Sequence, residues 1–137
     1  GKREVLAFAI RNGGELVNVK YRGEVKSFRQ VKGGTRSPFN LDVARRYDTW
    51  IWTEGEMDVL ALAMAGLENV LSVPDGAPPE GARNIEGKMA WLGALKPDLA
   101  QVKRHVLALD QDGPGKRLER SPSGIRVAES AAPERAR

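Results

Sequence analysis

The chain has 137 residues, of which 41% are apolar and 29% charged, with a net charge of +4 at pH 7 and a pI near 9.6. This composition is that of an ordinary globular protein, and the length suffices for one domain or two small lobes. Because there is no cysteine, a disulfide framework and a cysteine-ligated zinc site are excluded within this chain. No apolar stretch approaches the roughly 20 residues of a membrane span, so we expect no membrane partner.

The first forty residues are predicted to form a small antiparallel sheet. Apolar runs and alternating patterns indicate strands at 5–10, 16–22 and 25–30. The Asn-Gly-Gly sequence at 12–14 is a typical hairpin turn. The second and third strands carry four basic residues: Lys20, Arg22, Lys26 and Arg29. On pattern alone these cations fit either a phosphate-binding surface or a solvated strand face.

From about residue 48 the pattern changes to alternating strands and helices, which is typical of a parallel α/β sheet. Three strands are predicted at 50–53, 70–73 and 105–109. A helix at 56–65 is apolar on most sides, so we expect it to be buried against the sheet. Shorter helical segments are predicted at 89–95 and 97–103. The tail at 121–137 lacks sustained periodicity, and we expect it to be mostly disordered or weakly docked.

Two of the predicted strands end in carboxylates. Glu54 follows the first, and Asp110 and Asp112 follow the last. The C-terminal ends of parallel strands share one edge of a sheet, where ligands bind, so these three side chains are expected to meet. Clustered carboxylates repel each other unless a cation lies among them, and Mg²⁺ is the usual cation when phosphates are the substrate. A D-x-D-G sequence alone also occurs in calcium loops and ordinary turns.

Asp58 lies four residues after Glu54, in the first turn of the predicted helix. A carboxylate at that position is favoured by the helix dipole whatever the function. The sequence therefore allows Asp58 to be either a site residue or a helix-start residue.

Three segments in this order resemble the Toprim domain, the catalytic module of DnaG-type primases, type IA and II topoisomerases and some nucleases. They are residues 53–62, residues 70–77 and residues 107–115. The basic segments at 18–22 and 26–34 are similar to the subdomain that precedes Toprim in phage and Twinkle-like primase-helicases. The resemblance implies a Toprim-like parallel sheet flanked by helices and preceded by a small basic β lobe. The expected domains are 1–40 for that lobe, 41–120 for Toprim and 121–137 for an irregular tail.

The resemblance also implies roles for individual residues. Glu54 corresponds to the Toprim general base or acid near the metal, and Asp110 and Asp112 to the D-x-D metal ligands. Asp58 matches the aspartate of the E-G-x-x-D pattern, which gives a catalytic set of Glu54, Asp58, Asp110 and Asp112. The basic residues that are expected to hold nucleotide or template phosphates are Lys20, Arg22, Lys26 and Arg29.

The implied activity is that of a primase core, which makes RNA primers from NTPs on single-stranded DNA with Mg²⁺ or Mn²⁺. A replicative helicase is an expected partner, and the cytoplasm of a bacterial or phage-infected cell is the expected location. Two alternatives remain open on the sequence. One is a catalytically incomplete Toprim remnant that binds nucleic acid, and the other is a Toprim nuclease. A topoisomerase is not favoured, because Tyr21 and Tyr47 both precede the Toprim-like segments.

Overall fold

The computed structural model describes residues 3–25, 27–76 and 83–110. Lys26, Asp112 and the tail at 121–137 lie outside the described residues. The structure is mixed α/β, with a three-stranded antiparallel sheet followed by a three-stranded parallel sheet that helices flank. This architecture confirms the predicted fold class. The division into domains at residues 40 and 120 stays a prediction.

The antiparallel sheet has the order β1-β2-β3 and is formed by β1 (Val5–Asn12), β2 (Glu15–Gly23) and β3 (Phe28–Gln30). Gly13 and Gly14 connect the first two strands with φ angles of 63° and 83°. Two-residue hairpins favour positive φ at both positions, which glycine adopts without steric cost. The third strand is shorter than the predicted 25–30, because the chain is still turning there: Gly23 N donates to Ser27 O.

One face of the antiparallel sheet is buried. Phe8 and Ile10 on β1 lie opposite Lys20 and Asn18 on β2, and all four are less than a tenth exposed. Because side chains alternate along a strand, the neighbouring positions point to the opposite, solvent-facing side. The inner face therefore mixes apolar and polar groups and looks towards the rest of the chain.

A short helix, α1 (Leu41–Ala44), connects the two sheets. Asn40 precedes it in the left-handed conformation, with φ at 69°, and its side-chain amide donates to Val70 O at 2.8 Å. Asp42 on this helix accepts hydrogen bonds from the backbone of both hairpin glycines, Gly13 and Gly14, at 2.8 Å each. The tip of the first hairpin is thereby attached to the second half of the chain.

The parallel sheet has the order β5-β4-β6, with β4 (Thr49–Thr53) between β5 (Val70–Ser72) and β6 (Arg104–Ala108). Its helices are α2 (Glu56–Met64), α3 (Ile85–Lys88), α4 (Trp91–Ala94) and α5 (Lys96–Leu99). The buried core of this lobe is built from apolar residues of α1, β4, β5, α4 and the segments that follow them: Leu41, Ala44, Trp50, Trp52, Leu71, Val73, Trp91, Leu92 and Leu95. Within the described ranges, no helix is long and apolar enough to cross a membrane.

Helix α2 is less buried than its sequence predicts. Val59 is 2% exposed, but Met57, Leu60 and Met64 are 40%, 41% and 90% exposed. The helix thus contacts the sheet, as expected, but several of its apolar residues are exposed instead of buried. A single helix on the outside of a three-stranded sheet can bury only one stripe of its surface, however apolar its other positions are.

A candidate active-site cleft between the two sheets

Two of the predicted carboxylates meet at the C-terminal edge of the parallel sheet. Strands β4 and β6 are neighbours, with Thr53 opposite Ala108, so Glu54 and Asp110 follow at adjacent strand ends. The backbone N–H of Asp110 donates to Glu54 Oε1 at 2.9 Å. The structure thus places these two residues side by side, and this hydrogen bond orients the Glu54 carboxylate.

Asp58 lies near the same edge, in the first turn of α2. Gly55, which follows Glu54 and precedes the helix, has an extended conformation. A Cβ on Gly55 would lie 3.5 Å from Asp58 Oδ2. Its position at a helix start is also the one that the helix dipole favours for a carboxylate. The catalytic role of Asp58 stays a prediction.

Magnesium prefers carboxylate and other hard oxygen ligands, so Glu54 and Asp110 have suitable chemistry and lie at one edge. Within residues 3–25, 27–76 and 83–110, however, no group of three acidic or histidine side chains is arranged to hold a metal ion. Asp112, the third predicted ligand, lies outside that part of the chain. The described residues therefore supply two of the three predicted ligands, and the metal site stays a prediction.

A cleft of about 900 Å³ runs between the two sheets, and the two carboxylates lie on one of its walls. The parallel-sheet lobe contributes Glu54, Gly55, Glu56, Met57, Asp58, Asp75, Gly76 and Asp110. The antiparallel sheet and the loop after it contribute Lys20, Arg22, Phe28, Arg29, Gln30, Val31, Lys32, Gly33, Gly34 and Arg36. One wall is thus acidic and the other basic, and the volume falls within the usual range for small-molecule sites.

The predicted phosphate-binding residue Lys20 forms a buried ion pair inside the cleft. Its Nζ lies 2.8 Å from Glu56 Oε1 and donates to Pro74 O at 3.3 Å. Lys20 and Glu56 are 7% and 3% exposed. Sequence reasoning missed Glu56, because in the sequence it is simply another acid in the first turn of a helix. In the structure this ion pair joins the two lobes.

A second polar contact crosses the cleft at Asp75. Its Oδ1 accepts from Gln30 Nε2 at 2.8 Å and lies 3.1 Å from Arg36 Nη1. The loop after β5, which contains Asp75, is thereby attached to the antiparallel sheet. Neither Gln30 nor Arg36 was predicted as a site residue, since no local pattern marks either of them.

The remaining basic residues differ in where they point. Arg22 shares the inner face of the antiparallel sheet with Lys20 and lies opposite Phe28. Arg29 borders the cleft, but it pairs with Tyr21 and so belongs to the other face. Lys26 lies outside the described residues. The phosphate-binding roles of all four predicted cations stay predictions.

Acidic ends of adjacent parallel strands, facing a basic lobe, define a Toprim-type cleft. The Toprim domain family matches residues 48–127 of this chain. The chain therefore belongs to the Toprim family, and the resemblance predicted from the sequence is confirmed.

The curated relatives narrow the assignment within that family. The chain is 36% identical over 126 residues to the Twinkle homolog protein, chloroplastic/mitochondrial, of Arabidopsis thaliana. It is 37% identical over 122 residues to the Primase homolog protein of the same plant. These matches cover 86% and 83% of this chain, but only 18% and 36% of the relatives' lengths. The chain is thus a Toprim protein with primase-like relatives that are considerably longer.

Solved structures support the same fold. One match is the primase fragment of the bacteriophage T7 primase-helicase protein, with a TM-score of 0.61 and 21% identity. It covers 81% of this chain and 45% of the T7 chain. A second match is to the T7 primase domains bound to an RNA/DNA hybrid and dTTP, in a complex with T7 DNA polymerase. It covers 90% of this chain and 60% of the T7 chain, with a TM-score of 0.59 and 21% identity. At this identity the likeness concerns the fold.

Proposed function

We propose that this chain is a primase core that joins NTPs into RNA primers on single-stranded DNA. The observation that carries the proposal is the cleft, in which carboxylates at two strand ends face a wall of cations. Nucleotidyl transfer needs cationic groups to hold the triphosphate and anionic groups to hold a divalent metal. Both sets border this one cavity.

In this proposal each wall of the cleft has its own task. Arg22 and Lys32 on the basic wall bind the phosphates of the nucleotide or the template. Glu54, Asp110 and Asp112 hold Mg²⁺ or Mn²⁺, which when bound neutralises charge on the triphosphate. As the 3′-hydroxyl oxygen bonds to the α-phosphorus of the next NTP and pyrophosphate leaves, Glu54 would accept the hydroxyl proton as general base, with its carboxylate oriented by the backbone of Asp110.

Lys20 has a different part in the same proposal. Because Glu56 already neutralises its charge in a buried position, it holds the basic wall at a fixed distance from the acidic wall. Within the described part of the chain neither Arg22 nor Lys32 forms an ion pair, and we expect these two residues to be the main phosphate-binding groups. Asp58 contributes negative charge near the metal.

Partners and location belong to the proposal as well. The name of the T7 primase-helicase supports a replicative helicase as partner, and the T7 primase domains bound to an RNA/DNA hybrid support a nucleic-acid template, which we propose is single-stranded DNA. We propose the cytoplasm of a bacterial or phage-infected cell as the location. The alternative is an organelle, as the name of the Twinkle homolog indicates for that protein. Cell fractionation would distinguish the two locations.

The test is dinucleotide synthesis from radiolabelled NTPs on mixed single-stranded DNA, with Mg²⁺ or Mn²⁺. Asp110→Ala/Asp112→Ala is expected to lower the rate by at least about 100-fold, because several kcal/mol of charge stabilisation are lost. The matched control is Asp48→Ala/Glu68→Ala, which removes two carboxylates that do not line the cleft and should leave the rate unchanged.

Three other outcomes would contradict the proposal in different ways. Equal loss in the control variant would point to a general charge effect. Binding of single-stranded DNA without any synthesis would favour the catalytically incomplete nucleic-acid-binding chain. Metal-dependent cleavage of labelled DNA without synthesis would favour the Toprim nuclease.

A further inference from the structure

An aromatic ring is exposed in the cleft. Phe28 on β3 borders the cleft and is 51% exposed. The other two phenylalanines behave differently: Phe8 is buried, and Phe39 packs edge-on against it with ring centroids 5.7 Å apart. Core packing therefore accounts for Phe8 and Phe39 but not for the exposed half of Phe28.

Two cations hold the Phe28 ring in place. Lys20 Nζ lies 5.2 Å and Arg22 Cζ 5.7 Å from the ring centroid, both within the range of cation–π attraction. Lys20 is itself fixed by its buried ion pair with Glu56. The ring is thus positioned by two cations, and the Phe28 residue as a whole is still about half exposed.

We propose that Phe28 is a stacking platform for a nucleobase, while Arg22 binds a phosphate of the same nucleotide. This inference rests on the proposed function, and it adds the group that recognises the base. A flat aromatic ring beside cations is the combination that single-stranded nucleic acid sites use. Since every base has a π-face, Phe28 gives affinity without choosing among bases. The base can belong to an NTP or to the DNA strand.

The test compares ligands with and without bases on three chains: wild type, Phe28→Leu and Phe28→Tyr. Leucine keeps an apolar side chain but removes the ring, and tyrosine keeps the ring. The strand probes are a short oligothymidylate and an all-abasic strand of the same length. The nucleotide probes are ATP and inorganic triphosphate. Binding is followed by fluorescence anisotropy or calorimetry, and thermal melting checks that each variant is folded.

Wild type should bind the base-containing ligand about tenfold more tightly than its base-free partner. Phe28→Leu should lose this preference, while its affinity for the base-free ligand stays the same, and Phe28→Tyr should retain it. If the preference appears with oligothymidylate, the base comes from the strand; if it appears with ATP, the base comes from the nucleotide.

The inference is overturned if Phe28→Leu keeps the wild-type preference or if wild type shows none. In either case, strand and nucleotide binding would still leave the proposed function standing. If wild type binds none of the four probes, both the proposed function and the stacking role are wrong. A folded Phe28→Leu that loses affinity equally for all probes would show that the ring only supports Arg22, which also overturns the stacking role.

Discussion

Two of the contacts that join the lobes differ in burial. In the cleft, Lys20 and Glu56 form an ion pair that is almost fully withdrawn from water. At the hairpin tip, Asp42 binds the backbone of Gly13 and Gly14, and Arg45 links Asp42 to Asp98, all with substantial exposure. A buried charge depends on its partner far more than an exposed one does. Of these two contacts, the one in the cleft should therefore be the more sensitive to loss of one partner.

The largest predicted effect is on the buried contact. Glu56→Ala leaves the Lys20 ammonium buried, with Pro74 O as its one remaining acceptor among the described residues, and we expect it to cost about 3–5 kcal/mol in the free energy of unfolding. Urea denaturation measures this. Lys20→Met/Glu56→Leu should recover most of the loss, because no unpaired charge is then buried. A cost below about 1 kcal/mol for Glu56→Ala would show that water reaches Lys20.

A smaller effect is predicted at the hairpin tip. Asp42→Ala removes the acceptor of two backbone hydrogen bonds, but water can replace it, so we expect a loss of about 1–2 kcal/mol. Asp48→Ala is a suitable comparison, since the ion pair of Asp48 with Lys103 is largely exposed and should contribute about 0–1 kcal/mol. If Asp42→Ala cost as much as Glu56→Ala, burial would not be what distinguishes the two contacts.

The smallest predicted effect is on the pH dependence of stability, which should differ between the parallel-sheet core and the hairpin contact. Burial lowers the pKa of His105 below its ordinary value of 6.5. The unfolded chain then takes up the proton more readily, so stability should fall as the pH drops below 6.5 towards the folded-state pKa. Trp52 Nε1 donates to His105 Nδ1 at 3.1 Å, and a proton on Nδ1 would abolish this bond.

Asp42 titrates in a different window. Burial alone would raise its pKa, but hydrogen bonds from Gly14, Gly13 and Arg45 outweigh burial and hold the pKa of Asp42 below 3.8. Its contribution to stability is therefore present above pH 3.8 and lost only as the pH falls through the lower, folded-state pKa.

The His105 prediction is tested by denaturation of wild type and His105→Asn between pH 7 and 5. The variant should be less pH-dependent, and equal slopes would contradict the role of His105.

The parts of this fold that follow from local pattern could be predicted from the sequence. Alternation and apolar runs located the six strands of the described residues, since a strand can be recognised from a few consecutive residues. Parallel topology then placed Glu54 and Asp110 at one edge, because the C-terminal ends of adjacent strands must meet there. The observed hydrogen bond between these residues agrees with that placement.

The parts that depend on how the lobes pack could not be predicted. The pairing of Lys20 with Glu56 joins residues 36 positions apart, and nothing in either local sequence indicates it. Exposure of Met64 was missed for a related reason, because apolar composition indicates what a helix could bury and not how much surface is available to cover it. Phe28 also has no motif, and its position only becomes informative once the cations beside it are known.

The three tryptophans of this chain, Trp50, Trp52 and Trp91, all lie in the core of the parallel-sheet lobe. The antiparallel sheet contains none. Intrinsic tryptophan fluorescence is therefore an optical reporter of one lobe alone, whereas far-ultraviolet circular dichroism records both. Coincident transitions by the two probes would mean that the lobes unfold as one cooperative unit, and separate transitions would give the stability of each lobe from a single unlabelled sample.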